Sequence, residues 1–246
     1  MVILGRFLCV DGVRLKICGT VTRGVAHFHG VPHGAVNIAD VILKKMNDKL
    51  IPSILLHRRD KRKRTSPDTW DICGGHLEGN KQLYDETASW EDREYLRRLF
   101  YTTAEREANE EFCILTKPDF KFTEKHLKCF GGIGAFEYGF DTPTIGNKEY
   151  SALYIAFVPE EILVIEEHDT LGQIVCIEDT IGKGGKPQES IASELRLVAL
   201  EELILDYRKN TSDYADGIGR VLKKLINEPY TMTKLEEFIN SYYNLI

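Results

Sequence analysis

The pattern of apolar positions predicts a strand-rich chain that ends in a helical tail. Two β-prone runs flank the turn dipeptide Asp11-Gly12 within the first 24 residues and predict an N-terminal β-hairpin. Further runs rich in Val, Ile and aromatic residues predict strands along the middle of the chain. These runs are 35–43, 52–58, 127–140, 149–157, 161–165 and 173–178.

Helices are expected in two places. Apolar residues recur at helical spacing from Ser89 to Phe100, which predicts a short helix, and Thr102 with Glu105 forms a capping signature for a second helix that begins near 103. Beyond the glycine-rich segment 182–188, amphipathic segments predict the helical tail. They read SELRLVALEELILDYRK, GIGRVLKKLI and KLEEFINSYY.

Composition narrows the class of protein. The 246 residues are 43% hydrophobic and 28% charged, which is typical of a folded soluble protein. The net charge of −6 argues against nucleic acid or an anionic membrane as a partner, so any affinity for phosphate is local. Six cysteines without a CxxC pair indicate a reducing, cytoplasmic location. Arg6 and Asp11 interrupt the first apolar run, so neither a signal peptide nor a membrane span is expected.

The segment Arg106-Glu107-Ala108-Asn109-Glu110-Glu111 concentrates acidic side chains on one turn of the second predicted helix. Residues three and four apart share a helix face, so Glu107, Glu110 and Glu111 converge and repel each other unless a cation lies among them. A hard divalent ion such as Mg²⁺ would suit these oxygen ligands, and Arg106 would brace one glutamate. A solvated acidic surface is the alternative.

Two loop segments precede this helix. Cys73-Gly74-Gly75-His76 lies in a stretch of loop composition, and RRDKRKR at 58–64 gathers six basic residues around one acid. Arg59 and Lys61 are candidates for a diphosphate clamp, although a solvated loop is an equal alternative. His76 is a candidate for substrate binding, because a lone loop histidine is more often a hydrogen-bonding residue than a metal ligand.

These residues resemble the Nudix hydrolase signature, in which a glycine leads to Arg-Glu-apolar-any-Glu-Glu. Gly75 stands at the leading glycine, and Arg106, Glu107, Glu110 and Glu111 match the helix. The spacing between Gly75 and Arg106 exceeds that of the signature by 17 residues, and Arg98 and Cys113 replace its middle glutamate and closing glycine. Residues 29–180 as a whole resemble the subgroup related to isopentenyl diphosphate isomerase.

The resemblance implies an α/β fold, the Nudix α/β/α sandwich with a mixed β-sheet. Together with the patterns outside the resemblance, the expected organisation is a hairpin extension (1–24), a Nudix domain (25–181) with an insertion at about 80–101, and a C-terminal helical extension (189–246) packed on the domain. The tail helices would cap the sheet, form a lid or build a homodimer, and the sequence does not choose among these.

The activity implied by the resemblance is hydrolysis of a diphosphate linkage in a small nucleoside or other organic diphosphate. The implied ligands of Mg²⁺ or Mn²⁺ are Glu107, Glu110, Glu111, the Gly74 carbonyl and Glu149. Glu107 would be a ligand or the base that orients water.

Two alternatives stay open. An isomerase-like enzyme would use a metal held by histidines and later glutamates, a set that His29, His33, His76 and Glu149 would imitate. The isomerases, however, have a cysteine where Gly74 stands, and they do not keep the full glutamate pair. A catalytically silent nucleotide-binding module is the third reading, because the longer spacing could misplace the helix.

Overall fold

The computed structural model describes residues 6–11, 16–46, 49–61, 63, 66–78, 93–112, 120–131, 137–141, 147–158, 174–176 and 192–227 and the single positions 233, 235, 237 and 241. The strands are β1 (Arg6–Asp11), β2 (Lys16–Thr22), β3 (His33–Met46), β4 (Lys49–Arg59), β5 (Trp70–Asp71), β6 (Cys73–His76), β7 (Leu127–Gly131), β8 (Glu137–Asp141), β9 (Asn147–Val158), β10 (Ile174–Cys176) and β11 (Ala192–Ala199). The helices are α1 (Arg23–His29), α2 (Arg93–Phe112), α3 (Leu200–Lys209) and α4 (Asp216–Asn227).

The chain is a mixed α/β protein, so the predicted fold class is confirmed. It forms two compact units. The first comprises Met1–Ile38, Gly74–Glu110 and Phe122–Tyr154, and the second comprises Ala39–Cys73, Glu111–Lys121 and Ile155–Ile246. None of the described helices has the length and apolarity needed to span a bilayer. The domain boundaries expected from the sequence stay predictions.

In the first unit, β1 and β2 form the predicted antiparallel hairpin, and Cys9 of β1 pairs with His33 at the start of β3. β8 pairs with the beginning of β9 in antiparallel register. α2 buries a stripe of side chains four residues apart, which is the spacing of one helix face. This stripe consists of Leu96, Phe100, Ala104 and Ala108, and each is at most 3% exposed.

In the second unit, β4 is the central strand. It pairs in antiparallel register with the second half of β3, with β5 and with β11, and β10 adds to β11. Apolar residues of β3 and β4 are buried on both faces, which explains why their sequences are continuous rather than alternating. α3 and α4 bury Leu203, Ile218 and Leu222.

Two predicted elements are wrong in detail. The segment expected to be one tail helix begins as β11, because residues 192–199 pair with β4, and becomes helical only at Leu200. The two helices expected around Ser89 and near 103 are one continuous helix from Arg93. The predicted strand 161–165, the glycine-rich segment 182–188 and most of the insertion lie outside the described residues.

Candidate active site

The glycine loop and the acidic helix meet at Gly75 and Glu107, both in the first unit. A β-carbon on Gly75 would overlap the Glu107 carboxylate, so glycine is required for this approach. Gly74 is equally confined, since a β-carbon there would lie 2.7 Å from the Val36 carbonyl oxygen of β3. Helix and loop are therefore in direct contact at the positions that the motif singled out.

Arg106 holds the acidic turn in place. It donates a hydrogen bond of 2.6 Å to Glu107 Oε1 and one of 3.0 Å to Glu110 Oε2. Arg106 also contacts the His76 carbonyl oxygen at 3.4 Å, which ties the helix to the loop. The Glu107 side chain is 12% exposed, whereas that of Glu110 is 59% exposed. Glu107 is thus the inward-facing carboxylate of this pair, and Glu110 faces solvent.

Burial shifts the proton affinity of Glu107. Loss of solvation raises the pKa of Glu107 above its usual value. The Arg106 guanidinium lowers this pKa in part, and His76 lowers it more weakly. A carboxylate with a raised pKa is a stronger base than a solvated one. The position and environment of Glu107 therefore suit a residue that accepts a proton from water.

A second cluster lies on three strands of the first unit. His33 begins β3, His76 ends β6 and Glu149 lies on β9, and both β6 and β9 pair with β3. His76 Nε2 is 3.1 Å from Glu149 Oε1, and the two imidazole rings have centroids 5.1 Å apart. One nitrogen or oxygen atom from each residue lies within 4.8 Å of the other two.

The donor atoms of this cluster fit a metal ion. His33 Nδ1 lies 2.8 Å from the Val31 carbonyl oxygen, which fixes the proton on Nδ1 and leaves the lone pair on Nε2. Two imidazoles and a carboxylate are a donor set that suits zinc, manganese or iron better than magnesium. His76 belongs to this set, and its role as a substrate contact stays a prediction.

Glu111, the last carboxylate of the motif, belongs to the second unit, and its Oε2 atom is buried. It is close enough to raise the pKa of Asp40 on β3. Asp40 is not among the candidates predicted from the sequence. A signal existed, since Asp40 is the one charged residue in the apolar run 35–43.

The two basic candidates take part in ion pairs of the second unit. Arg59 donates to Asp71 Oδ2 at 2.9 Å, and Asp71 Oδ1 accepts the backbone N–H groups of Ile72 and Ile218 at 2.9 and 3.3 Å. Arg59 thereby joins β4 to β5 and to the first turn of α4. Lys61 is 79% exposed and lies 3.8 Å from Asp68.

No protein-family model and no curated protein matches the chain. Among solved structures, a mutT/nudix family protein from Listeria innocua is 18% identical, with 84% of this chain and 96% of that chain covered and a TM-score of 0.44. A C. elegans Ap4A hydrolase is 15% identical, with 79% and 96% covered and a TM-score of 0.35. The NUDIX domain of Shewanella oneidensis NrtR, complexed with ADP ribose, is 13% identical, with 70% and 75% covered and a TM-score of 0.35.

Proposed function

We propose that this chain is a Nudix-superfamily hydrolase that cleaves the diphosphate bridge of a small nucleotide or other organic diphosphate. The observation that carries this proposal is the contact of the Glu107 carboxylate with Gly75, braced by Arg106. The motif residues that define the resemblance are those that form this contact. A solvated acidic surface would not need a buried carboxylate against a glycine.

Each residue has a distinct task in the proposed reaction. Glu107 accepts the proton of the attacking water, and burial keeps its carboxylate basic. Arg106 is a positioning residue, since it fixes Glu107 by a charge-assisted hydrogen bond. Glu110 and the Gly74 carbonyl, both in the first unit, would hold Mg²⁺ or Mn²⁺, and Glu111 is the further ligand that the motif implies. When bound, such an ion neutralises diphosphate oxygens and lowers the pKa of a coordinated water.

Hydrolysis of Ap4A and ADP ribose in the presence of Mg²⁺ tests this proposal. Excess alkaline phosphatase converts the products to inorganic phosphate, because it attacks only the terminal phosphates that cleavage of the bridge exposes. Glu107→Gln should lower kcat at least about a hundredfold, the usual effect of removing a positioned catalytic group.

Glu105→Gln is the matched control on the same helix. Glu105 accepts a hydrogen bond from Tyr101 and makes no contact with the glycine loop among the described residues, so kcat should change less than about threefold. Equal losses in the two variants would contradict the assigned role of Glu107. Binding of nucleotides without any turnover would instead identify a silent binding module.

An isomerase-like activity is the second candidate, and the cluster of His33, His76 and Glu149 favours it. The cluster contains three of the four residues that would imitate the isomerase metal set, and His29 is not one of them. Against this candidate, Gly74 occupies the position of the isomerase cysteine, so the chain lacks a cysteine at that place in the loop. Incubation with a five-carbon allylic diphosphate and its isomer distinguishes the candidates, because isomerisation interconverts the two without release of phosphate or diphosphate.

A further inference from the structure

Asn37 on β3 carries a buried amide group whose N–H donors have no acceptor. The residue is 8% exposed and lies between Val36 and Ile38, which are buried as well. Within the described residues, its Nδ2 atom is enclosed and donates no hydrogen bond. A buried N–H group without an acceptor destabilises the folded state, and an apolar side chain of the same size would avoid this cost. The presence of an amide at this position therefore requires an explanation.

The amide of Asn37 faces the glycine loop. β6 pairs with β3, and a β-carbon on Gly74 would lie 3.6 Å from Asn37 Cα and 3.6 Å from Asn37 Oδ1. Because Gly74 has no side chain, no β-carbon separates the Asn37 amide from the Gly74 backbone. Rotation of the terminal amide by half a turn exchanges Nδ2 with Oδ1, so an N–H group can occupy this position beside the loop.

This part of the loop adjoins the proposed site of reaction. Gly74 and Gly75 are consecutive, so their α-carbons lie about 3.8 Å apart. Gly75 is in contact with the Glu107 carboxylate, and the Gly74 carbonyl is a proposed ligand of Mg²⁺. Asn37, the two glycines and Glu107 all belong to the first unit. The diphosphate that such an ion neutralises would therefore lie beside the residue that Asn37 faces.

A phosphate oxygen is the acceptor that best explains the Asn37 donor. The two partly buried carboxylates of the candidate site, Glu107 and Glu149, already pair with Arg106 and His76. Phosphate oxygens are charged, and hydrogen bonds to charged acceptors are stronger than those between neutral groups. An enclosed donor also has no hydrogen bond to water that must break before it binds a ligand, so the new hydrogen bond adds its full strength to binding.

We propose that Asn37 is a substrate-binding residue whose amide donates a hydrogen bond to a diphosphate oxygen of the bound substrate. The inference rests on the proposed function for the chemical class of this ligand. Asn37 lies outside the Nudix motif, within the apolar run 35–43, which by itself predicts only a strand.

Calorimetric titration with a methylene analogue of ADP ribose tests this inference. In this probe a CH₂ group replaces the oxygen between the two phosphates, so that the bridge cannot be hydrolysed. Asn37→Leu keeps the approximate size of the side chain and removes the donor. With Mg²⁺ present, Asn37→Leu should raise Kd at least about tenfold, because a hydrogen bond to a charged group is lost. Without ligand it should unfold at the wild-type temperature or above, because an unpaired buried group has been removed.

Asn109→Leu is the matched control. The Asn109 amide donates to the backbone carbonyls of Glu105 at 2.7 Å and Phe122 at 3.2 Å, and it accepts the Phe122 N–H at 2.9 Å. This variant should unfold at a lower temperature and keep the wild-type Kd. An unchanged Kd in Asn37→Leu would overturn the proposal. A fall in unfolding temperature equal to that of Asn109→Leu would overturn it as well, because the Asn37 amide would then have a partner in the free protein.

The hydrolysis assay separates this inference from the proposed function. If the wild-type chain binds the analogue but cleaves neither Ap4A nor ADP ribose, and Asn37→Leu weakens binding, the role of Asn37 stands and the hydrolase assignment fails. If the wild-type chain cleaves either nucleotide and Asn37→Leu leaves KM and Kd unchanged, the hydrolase assignment stands and the role of Asn37 fails. A wild-type chain that neither binds the analogue nor cleaves the nucleotides contradicts both.

Discussion

Replacement of Gly75 by alanine should remove activity at a modest cost in stability. The added β-carbon would overlap the end of the Glu107 side chain, from the carboxylate to Cγ. A side-chain end can rotate away, whereas backbone cannot, so Glu107 is expected to leave its position. That movement breaks the 2.6 Å hydrogen bond from Arg106.

The cost can be worked out from these contacts. Loss of a hydrogen bond between charged groups costs about 1.5–3 kcal/mol, and the lower end applies because Arg106 is 29% exposed. Replacement of glycine by alanine returns about 0.4–1 kcal/mol by restricting the unfolded chain. The net loss of about 1 kcal/mol lowers Tm by only about 2–4 °C. Displacement of the base by about 1 Å or more should lower kcat about a hundredfold.

Gly74→Ala provides the contrast. Its β-carbon would lie 2.7 Å from the Val36 carbonyl oxygen, which is backbone of the neighbouring strand and cannot rotate away. The strand must shift, and overpacking of this kind costs about 1–3 kcal/mol. Urea unfolding and the phosphate assay on both variants check the reasoning. Wild-type kcat in Gly75→Ala, or a lower unfolding free energy in Gly75→Ala than in Gly74→Ala, would refute it.

Three further variants test the surroundings of the site. Asn109→Ala removes two hydrogen bonds to the backbone of buried Phe122, at 2.9 and 3.2 Å, and should lower the free energy of unfolding in urea by about 2 kcal/mol. Tyr214→Phe removes the hydrogen bond that lowers the pKa of Asp206. This stabilisation is fully present above the unfolded pKa of about 3.9 and declines as pH falls through the lowered folded pKa, so the difference in urea unfolding free energy between the two proteins should be larger at pH 7 than in acid. Arg59→Gln breaks a partly buried ion pair and should lower stability by about 2 kcal/mol with KM unchanged, whereas a large rise in KM would support the predicted role of Arg59 as a phosphate clamp.

Local sequence predicts most of the described elements because their signals are local. A turn dipeptide between two β-prone runs is sufficient for the hairpin of β1 and β2. Residues 192–199 show the limit of this reasoning, since their apolar positions also fit a helix, and only the pairing with β4 makes them a strand. The choice depends on a partner more than 130 positions earlier in the chain, which periodicity does not report.

The candidate site also has one part that the sequence predicts and one part that it does not. Glu107 and Arg106 are predictable because consecutive helix residues carry the motif. The cluster of His33, His76 and Glu149 depends on the register of three strands, and no local pattern specifies which residues of those strands become neighbours. The sequence supplies the residue types of such a cluster, and the sheet supplies their proximity.

Arg59 shows why a dense run of charge is a weak guide to a binding site. Six basic residues at 58–64 suggest an excess of positive charge, yet Arg59 lies 2.9 Å from Asp71 and Arg58 lies 2.8 Å from Asp68. Both acids come after the run in sequence, and the turn between β4 and β5 brings them back beside it. A basic side chain that already forms an ion pair can bind an added phosphate only if that ion pair breaks. The affinity of a basic segment for phosphate therefore depends on its ion pairs and not on its number of Lys and Arg residues.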